Sequence, residues 1–408
     1  MARTFLKQFS VNMQREQSSV NNSAKMGGDS GEWNLLLATS SPDLDESGRE
    51  RIRLLLGTPV NWDGVVKLAD EHGVTSLVYQ NLASFGDVVP AAVFAGLRQS
   101  YEQNIHKALF LARELMRILD CLDELGIAAI PYKGIVMSEA YYGDMALRRA
   151  GDMDFFVRAE DVGRIKSAVR ELGYTPRVAI PEEAEADYIA SGYECTFDSP
   201  AGRNLLEIQW ALQPRFYAVD FDMEGLFERA VKVSLAGELV KTPSAEDLLL
   251  VLSVHAAKHV WGRLIWLFDI AQIVKRGELD WERVQTRART LRIERILHIT
   301  LRLGNRMLGM EIPGTMEKAV RDDRTAGEFA EEIAAAVAAG VIYEEEKMSY
   351  FRLMMGLRER RMDRWRFLWR LTFTPGPGEW EAVKLPRVLF PLYRVVRMGR
   401  LVGRFARG

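Results

Sequence analysis

Cysteine and histidine are scarce in this 408-residue chain: two of the former, Cys121 and Cys195, and five of the latter. Two cysteines with no metal-ligand spacing argue against a disulfide scaffold and fit a reducing compartment. The scattered histidines argue against zinc. Long apolar runs are missing too: none reaches the roughly 18–20 residues needed to span a bilayer. The opening MARTFLKQFSVNMQREQSS has no signal-peptide apolar core, so the expected location is the cytoplasm. No internal repeat is present. Net charge is only −2, but the balance is uneven. Residues 352–408 hold 14 Arg or Lys against 4 Asp or Glu, leaving the rest acidic. Such a tail suits phosphates, nucleic acid or an anionic membrane.

What is present centres on residues 130–157. Asp152 and Asp154 stand one residue apart in the apolar run DMDFFV, which reads as a strand. Strand alternation sends both carboxylates to one face, with Met153 and Phe155 toward a core on the other. Like charges held so close favour a cation between them, and the hard divalent ion that takes oxygen ligands together with phosphates is magnesium. Asp-x-Asp also occurs at turns and strand ends with no metal, so the surroundings matter. Upstream, residues 127–132 form a short apolar strand pattern, followed by Lys133, Gly134 and a helical segment to about residue 142. A glycine at a strand-to-helix turn lets a phosphate approach the backbone.

Further along, Glu207 is the one acid within the apolar run LLEIQW. Burying it needs a cation or a proton, which makes it the candidate third metal carboxylate and general base; an edge-strand position facing solvent is the alternative. Glu194 and Asp198, on the strand expected to pair with it across a turn at residues 200–202, are weaker candidates.

Lys133-Gly134, the YYGD segment, Arg148, Gly151-Asp152-Met153-Asp154, LLEIQW and the run at 244–274 resemble the bacterial "uncharacterised nucleotidyltransferase" family, a branch of the polymerase-β-like nucleotidyltransferase superfamily. The resemblance covers most of residues 60–275 and touches the tail from 374 onward. Ile135 stands where the superfamily has Ser, the gap from Gly134 to Asp152 is longer than usual, and Gln209 stands where the family has His. The resemblance implies an α+β fold: a small mixed nucleotidyltransferase-type sheet flanked by helices, with helical N-terminal and C-terminal regions. It also implies Mg²⁺, or Mn²⁺, held by Asp152, Asp154 and Glu207, with an NTP as co-substrate. An NMP group would move to a hydroxyl or phosphate of a small-molecule or peptide acceptor, with pyrophosphate released. Lys133, Gly134, Ser138, Arg148 and Arg149 would meet the nucleotide. A non-catalytic nucleotide- or peptide-binding protein of the same fold is the alternative.

The remaining chain reads as scaffold. Residues 1–30 are polar and aperiodic, expected to be loosely held. Residues 31–125 are helical, with His72 a helix C-cap or surface residue, and 126–243 form the catalytic core. That core includes a helix over 160–172, strand-like YTPRVAI and a short helix near 182–189. Residues 244–345 are a helical domain opened by Ser244 as N-cap; amphipathic helices are expected over 278–310 and 325–339. In it His255 and His259 share one helix face. Core packing is one reading for them; contact with base, triphosphate or acceptor, beside Lys258 and Arg263, is the other. Asp269 would orient a basic group. Residues 346–408 form a basic helical region whose Arg/Trp run reads as arginine stems laid over an apolar face, with nucleic-acid contact through phosphates and stacking as the alternative. The final amphipathic segment is expected to fold back on the core, with peripheral membrane contact as the alternative. Nucleic acid is not the expected partner.

Overall fold

The computed structural model describes residues 30–407, apart from 179, 181–183, 201, 342, 344–347, 375–378, 380–381, 384 and 386. The loose segment expected over 1–30 lies outside them except for Ser30; the stretch TPGPGEW (374–380), which reads from sequence as a linker or turn, lies mostly outside them too.

Four helices come first: α1 (Gly31–Thr39), α2 (Glu46–Leu56), α3 (Trp62–Glu71) and α4 (Thr75–Leu82). Ser30, Asp45 and Asn61 cap the first three by accepting a backbone N–H, as short polar side chains do at helix starts. His72 is the C-cap of α3, but it is buried rather than at the surface. Its Nδ1 accepts the Leu264 N–H at 3.3 Å, and its ring meets Trp33 edge-on. Helix α5 (Ala91–Glu124) follows, ended by Gly126 at φ +65°.

The sheet is mixed and five-stranded, in the order β1-β2-β5-β4-β3. Its strands are β1 (Ala129–Pro131), β2 (Asp152–Val157), β3 (Thr175–Pro176), β4 (Glu194–Asp198) and β5 (Leu205–Gln209). Only β2 and β5 run parallel; the other pairs are antiparallel. Among the described residues of the expected strand YTPRVAI, Thr175 and Pro176 form β3, and Arg177 N–H adds a bond to Thr196 O at 2.9 Å. One sheet face, Met153, Phe155, Val157, Phe197, Leu206 and Ile208, belongs to a single core with the α5 stripe Leu111, Leu115, Ile118 and Leu122. That stripe keeps helical spacing. Helix α6 (Gly134–Met137), with a π-helical turn at Ser138–Tyr142, precedes β2. Helices α7 (Val162–Glu171) and α8 (Glu185–Ser191) lie between β2 and β4.

Beyond the sheet and the short helix α9 (Met223–Glu228) lies a hairpin that the sequence reading did not foresee: β6 (Val231–Leu235) and β7 (Glu238–Thr242). Ala236 and Gly237 both take positive φ, the conformation a two-residue hairpin turn requires. It braces the site's flank: Thr242 Oγ1 donates to Pro131 O at 3.0 Å, and Ala236 N–H to Glu139.

Helices α10 (Ala245–Lys258), α11 (Leu264–Arg276), α12 (Trp281–Leu291), α13 (Glu294–Leu308), α14 (Gly314–Asp322) and α15 (Arg324–Ala338) follow the hairpin. The single helix expected over 278–310 is two, because Arg292 turns left-handed at φ 60° between α12 and α13. Ser244 caps α10 by accepting Asp247 N–H. The larger core joins α1, α3, α4 and α10–α15 to Tyr132 and Phe156, which stack at 4.0 Å on the sheet's other face. Helices α16 (Met348–Gly356), α17 (Arg361–Phe373) and α18 (Tyr393–Arg407) close the chain. The tail folds back: Arg397 Cζ lies 5.0 Å over the Phe216 ring, its Nε donates to Leu371 O at 3.0 Å, and Arg397 and Arg400 both pair with Glu379.

Candidate active site

Strand alternation places Asp152, Asp154 and Phe156 on one face of β2. The parallel register sets Asp154 opposite Glu207, and β4 adds Thr196 opposite Glu207 and Glu194 opposite Gln209. Cross-strand partners share a face, so Asp154, Glu207 and Thr196 form one row and Phe156, Gln209 and Glu194 the next. Asp152 lies just before the first row.

Asp154 is 3% exposed. Lys133 Nζ donates to its Oδ1 at 3.0 Å, while its Oδ2 is buried with no hydrogen-bond partner. Burial resists the Lys133 charge, yet Asp154 and the other carboxylates hold the ammonium well above its usual range. That one cation does not balance the acids around it. The Asp154 charge, then burial, raise the Asp152 carboxyl; burial raises Asp154; burial, then Glu194, raise Glu207. The face is short of positive charge.

Gly134 turns the chain from β1 into α6 at φ +57°, and a Cβ there would meet Asp152 O at 3.2 Å. Both facts demand glycine. Ser138 is fully buried and braces the loop before β2: its hydroxyl donates to Asp144 O and Met145 O, at 3.0 and 3.1 Å, and accepts from Arg148 N–H. Arg148 is buried against Asp269, with Nε 2.8 Å from Oδ1 and Nη2 2.9 Å from Oδ2, and Tyr142 Oη donates to Asp269 Oδ1 at 2.8 Å. Its guanidinium ties the loop to α11. Arg149 points to the exterior and pairs with Asp70.

The end of α10 supplies the other wall. His255, His259 and Trp266 cluster with ring centroids 5.0–5.4 Å apart. Burial, then the Lys133 charge, push His255 well below its usual range; burial, then Lys258, lower His259 to about 4. Both imidazoles are therefore neutral hydrogen-bonding groups at neutral pH, and both feel the Lys133 charge. Lys258 Nζ lies 5.4 Å over the Tyr193 ring, and Arg263 Cζ 5.8 Å over Trp266. Gln209 Nε2 donates to Glu207 at 3.1 Å and Glu194 at 3.2 Å, while its Oε1 accepts from Tyr132 Oη at 2.7 Å. Tyr193 Oη donates to Glu194.

Tyr132, Tyr193 and Trp266 were not singled out by the sequence reading. Tyr132 adjoins Lys133 and could have been found by adjacency. No local pattern links Trp266 to the histidines on the preceding helix.

Among the described residues no three His, Cys, Asp or Glu side chains form a ready-made metal cage. Magnesium bound through one or two carboxylates, waters and substrate phosphates needs none. An all-oxygen donor set, its charge excess and the orphaned Asp154 Oδ2 fit such an ion. A cleft of about 250 Å³ opens beside Glu194, Thr196 and Glu207, walled by Tyr188, Ile189 and Trp210.

Comparison with known proteins gives three findings. A family model described as "Uncharacterised nucleotidyltransferase" matches residues 58–309. No curated protein matches. Among solved structures, the solution structure of the antibiotic-resistance factor ANT(2'')-Ia is similar at 16% identity over 45% of this chain and 92% of that one, with a TM-score of 0.33.

Proposed function

Because this chain belongs to the uncharacterised nucleotidyltransferase family, we propose that it moves an NMP group from an NTP to a hydroxyl or phosphate of a small-molecule or peptide acceptor. The acceptor oxygen bonds to the α-phosphorus, the α–β phosphoanhydride bond breaks, and pyrophosphate leaves with the bonding electrons. The acceptor's proton passes to a carboxylate, for which Glu207 beside the cleft is the candidate.

One observation carries the reading: the buried, unpartnered Asp154 Oδ2 in one row with Glu207, beside Asp152, where a single ammonium faces several acids. Asp152, Asp154 and Glu207 would hold Mg²⁺ or Mn²⁺. Such an ion, when bound, neutralises phosphate charge and polarises the α-phosphorus. Lys133 is the flexible cation nearest the carboxylates, suited to turn to a phosphate oxygen. Gly134 makes the left-handed turn that sets Lys133 beside the carboxylates. His255 and His259, neutral and set against Trp266, suit the nucleoside or acceptor as hydrogen-bond partners; Lys258 and Arg263 add charge beside them. Arg148 acts as a positioning residue through Asp269, and Ser138 as a brace. Arg149 can reach a phosphate only by leaving Asp70.

The Lys133–Asp154 pair also gives a second reading its footing, since an ammonium can stand in permanently for a metal ion. On that reading the protein binds a nucleotide or peptide without turnover. Incubation with α-labelled NTPs and a panel of acceptors separates the two. Label transfer with pyrophosphate release is expected, abolished by Asp152→Asn with Asp154→Asn. Identical behaviour of wild type and the double variant across the panel would sink the catalytic reading; calorimetric NTP binding without turnover would favour the second.

A further inference from the structure

The C-terminal helices show an outer face that neither the core nor the candidate site uses. Of thirteen large apolar side chains exposed among the described residues, seven fall between Met362 and Val395. The other six are scattered before residue 240. On α17, Met362 is 73% exposed, Trp365 69% and Trp369 67%. Spaced three and four apart, they share one side of the helix.

The opposite side of α17 is committed inward. Asp363 and Phe367 are buried, Asp363 pairs with Arg292, and Arg366 and Arg370 both hold Asp220. The exposed side is thus not a misplaced core surface. Tryptophan left this open in two places on one helix is unusual, and contiguous apolar surface of this kind marks an interaction site.

Charge narrows the occupant. Arg361 and Arg364 flank the tryptophans and are exposed, and Arg394 stands exposed beside Val395 on α18, which packs against α17. The one acid of α17 is the buried Asp363, and α18 has none. Internally, Asp220 meets Arg366 and Arg370, and Glu379 meets Arg397 and Arg400. The surface keeps an excess of positive charge while the rest of the chain is acidic.

We infer that α17 and α18 form a peripheral docking face for an anionic lipid surface, with Trp365 and Trp369 seated at the headgroup level and Arg361, Arg364 and Arg394 meeting lipid phosphates. Indole rings prefer that boundary, and basic residues beside it add attraction to anionic lipid. No helix among the described residues is long and apolar enough to cross a membrane, so the contact is one of surface. The acidic remainder of the chain would be repelled from the same surface, which orients the molecule with α17 downward.

Sedimentation of the full chain with vesicles tests this. Phosphatidylcholine vesicles containing phosphatidylglycerol should retain the protein about tenfold or more over phosphatidylcholine alone, with retention falling as salt rises. Trp365→Ser with Trp369→Ser should reduce retention about tenfold at an unchanged melting midpoint, since neither ring is buried. Arg361→Glu with Arg364→Glu should do the same. Leu239→Ser, at an exposed position on β7, should leave it unchanged. No preference for anionic vesicles, or full retention of the tryptophan variant, overturns the inference. So does a wild type that ignores vesicles while the same variant loses RNA binding or, by light scattering, a dimer.

Discussion

Asp154 sets the conditions for its neighbours. An acid almost wholly removed from water, with one oxygen on Lys133 and the other on nothing, is costly unless a cation completes it. Gly134 is the second residue on which the site turns. Gly134→Ala should cost about 1–2 kcal/mol for the left-handed backbone and, through its 3.2 Å approach to Asp152 O, shift the start of β2. Lower turnover at nearly unchanged nucleotide affinity is the expected result, read from denaturation and steady-state kinetics. His72 gives a prediction away from the chemistry. Burial, then the Arg263 charge, lower it from 6.5 to about 4. The unfolded chain then binds the extra proton between those values, so this part of the stability is complete above pH 6.5 and lost as pH falls toward 4. A shift of that size is worth about 3 kcal/mol. His72→Gln keeps an acceptor for Leu264 N–H and should show a shallower acid limb in urea unfolding between about pH 7 and 4.

At the scale of elements, the buried pair of Arg148 with Asp269 joins the loop before β2 to α11. Asp269→Ala strands a buried guanidinium and should cost about 3–5 kcal/mol, whereas Arg148→Met with Asp269→Leu should restore most of it. Equal losses in the single and paired variants would show that the ion pair is not what matters there. Much of this level was legible beforehand. Alternation in DMDFFV and LLEIQW marked β2 and β5; Gly134 marked the turn from β1 into α6; Ser244 marked the start of α10. What escaped depended on distant partners. VKVSLAGELVKT carries its turn as Ala-Gly rather than Asn-Gly, and its role is to clasp Pro131 and Glu139 from afar. Arg148 reads from sequence as a phosphate ligand because its partner lies 121 residues away. The break at Arg292 lacks a glycine or proline to announce it.

The whole molecule is held by two apolar cores on opposite faces of one sheet, and the polar row of β2, β5 and β4 sits beside the larger. That core draws Tyr350, Leu353, Met354, Leu357 and Phe367 from the C-terminal helices. At about 1.5–3 kcal/mol for each buried side chain, their removal forfeits about 10 kcal/mol, as much as a typical protein's whole stability. A chain ending at Gly340 should therefore lose its cooperative melt, as seen by calorimetry. The tail belongs to the fold on its inner side, whatever its outer side meets. The central claim is that Asp152, Asp154 and Glu207 share a divalent ion with a nucleotide, and paramagnetic titration of Mn²⁺ in the presence of a non-hydrolysable NTP analogue tests it most directly. Nucleotide-dependent Mn²⁺ binding in the wild type, weakened about a hundredfold or more in Asp154→Asn, is the predicted result. Equal Mn²⁺ affinity in the two proteins, with or without the analogue, would contradict it.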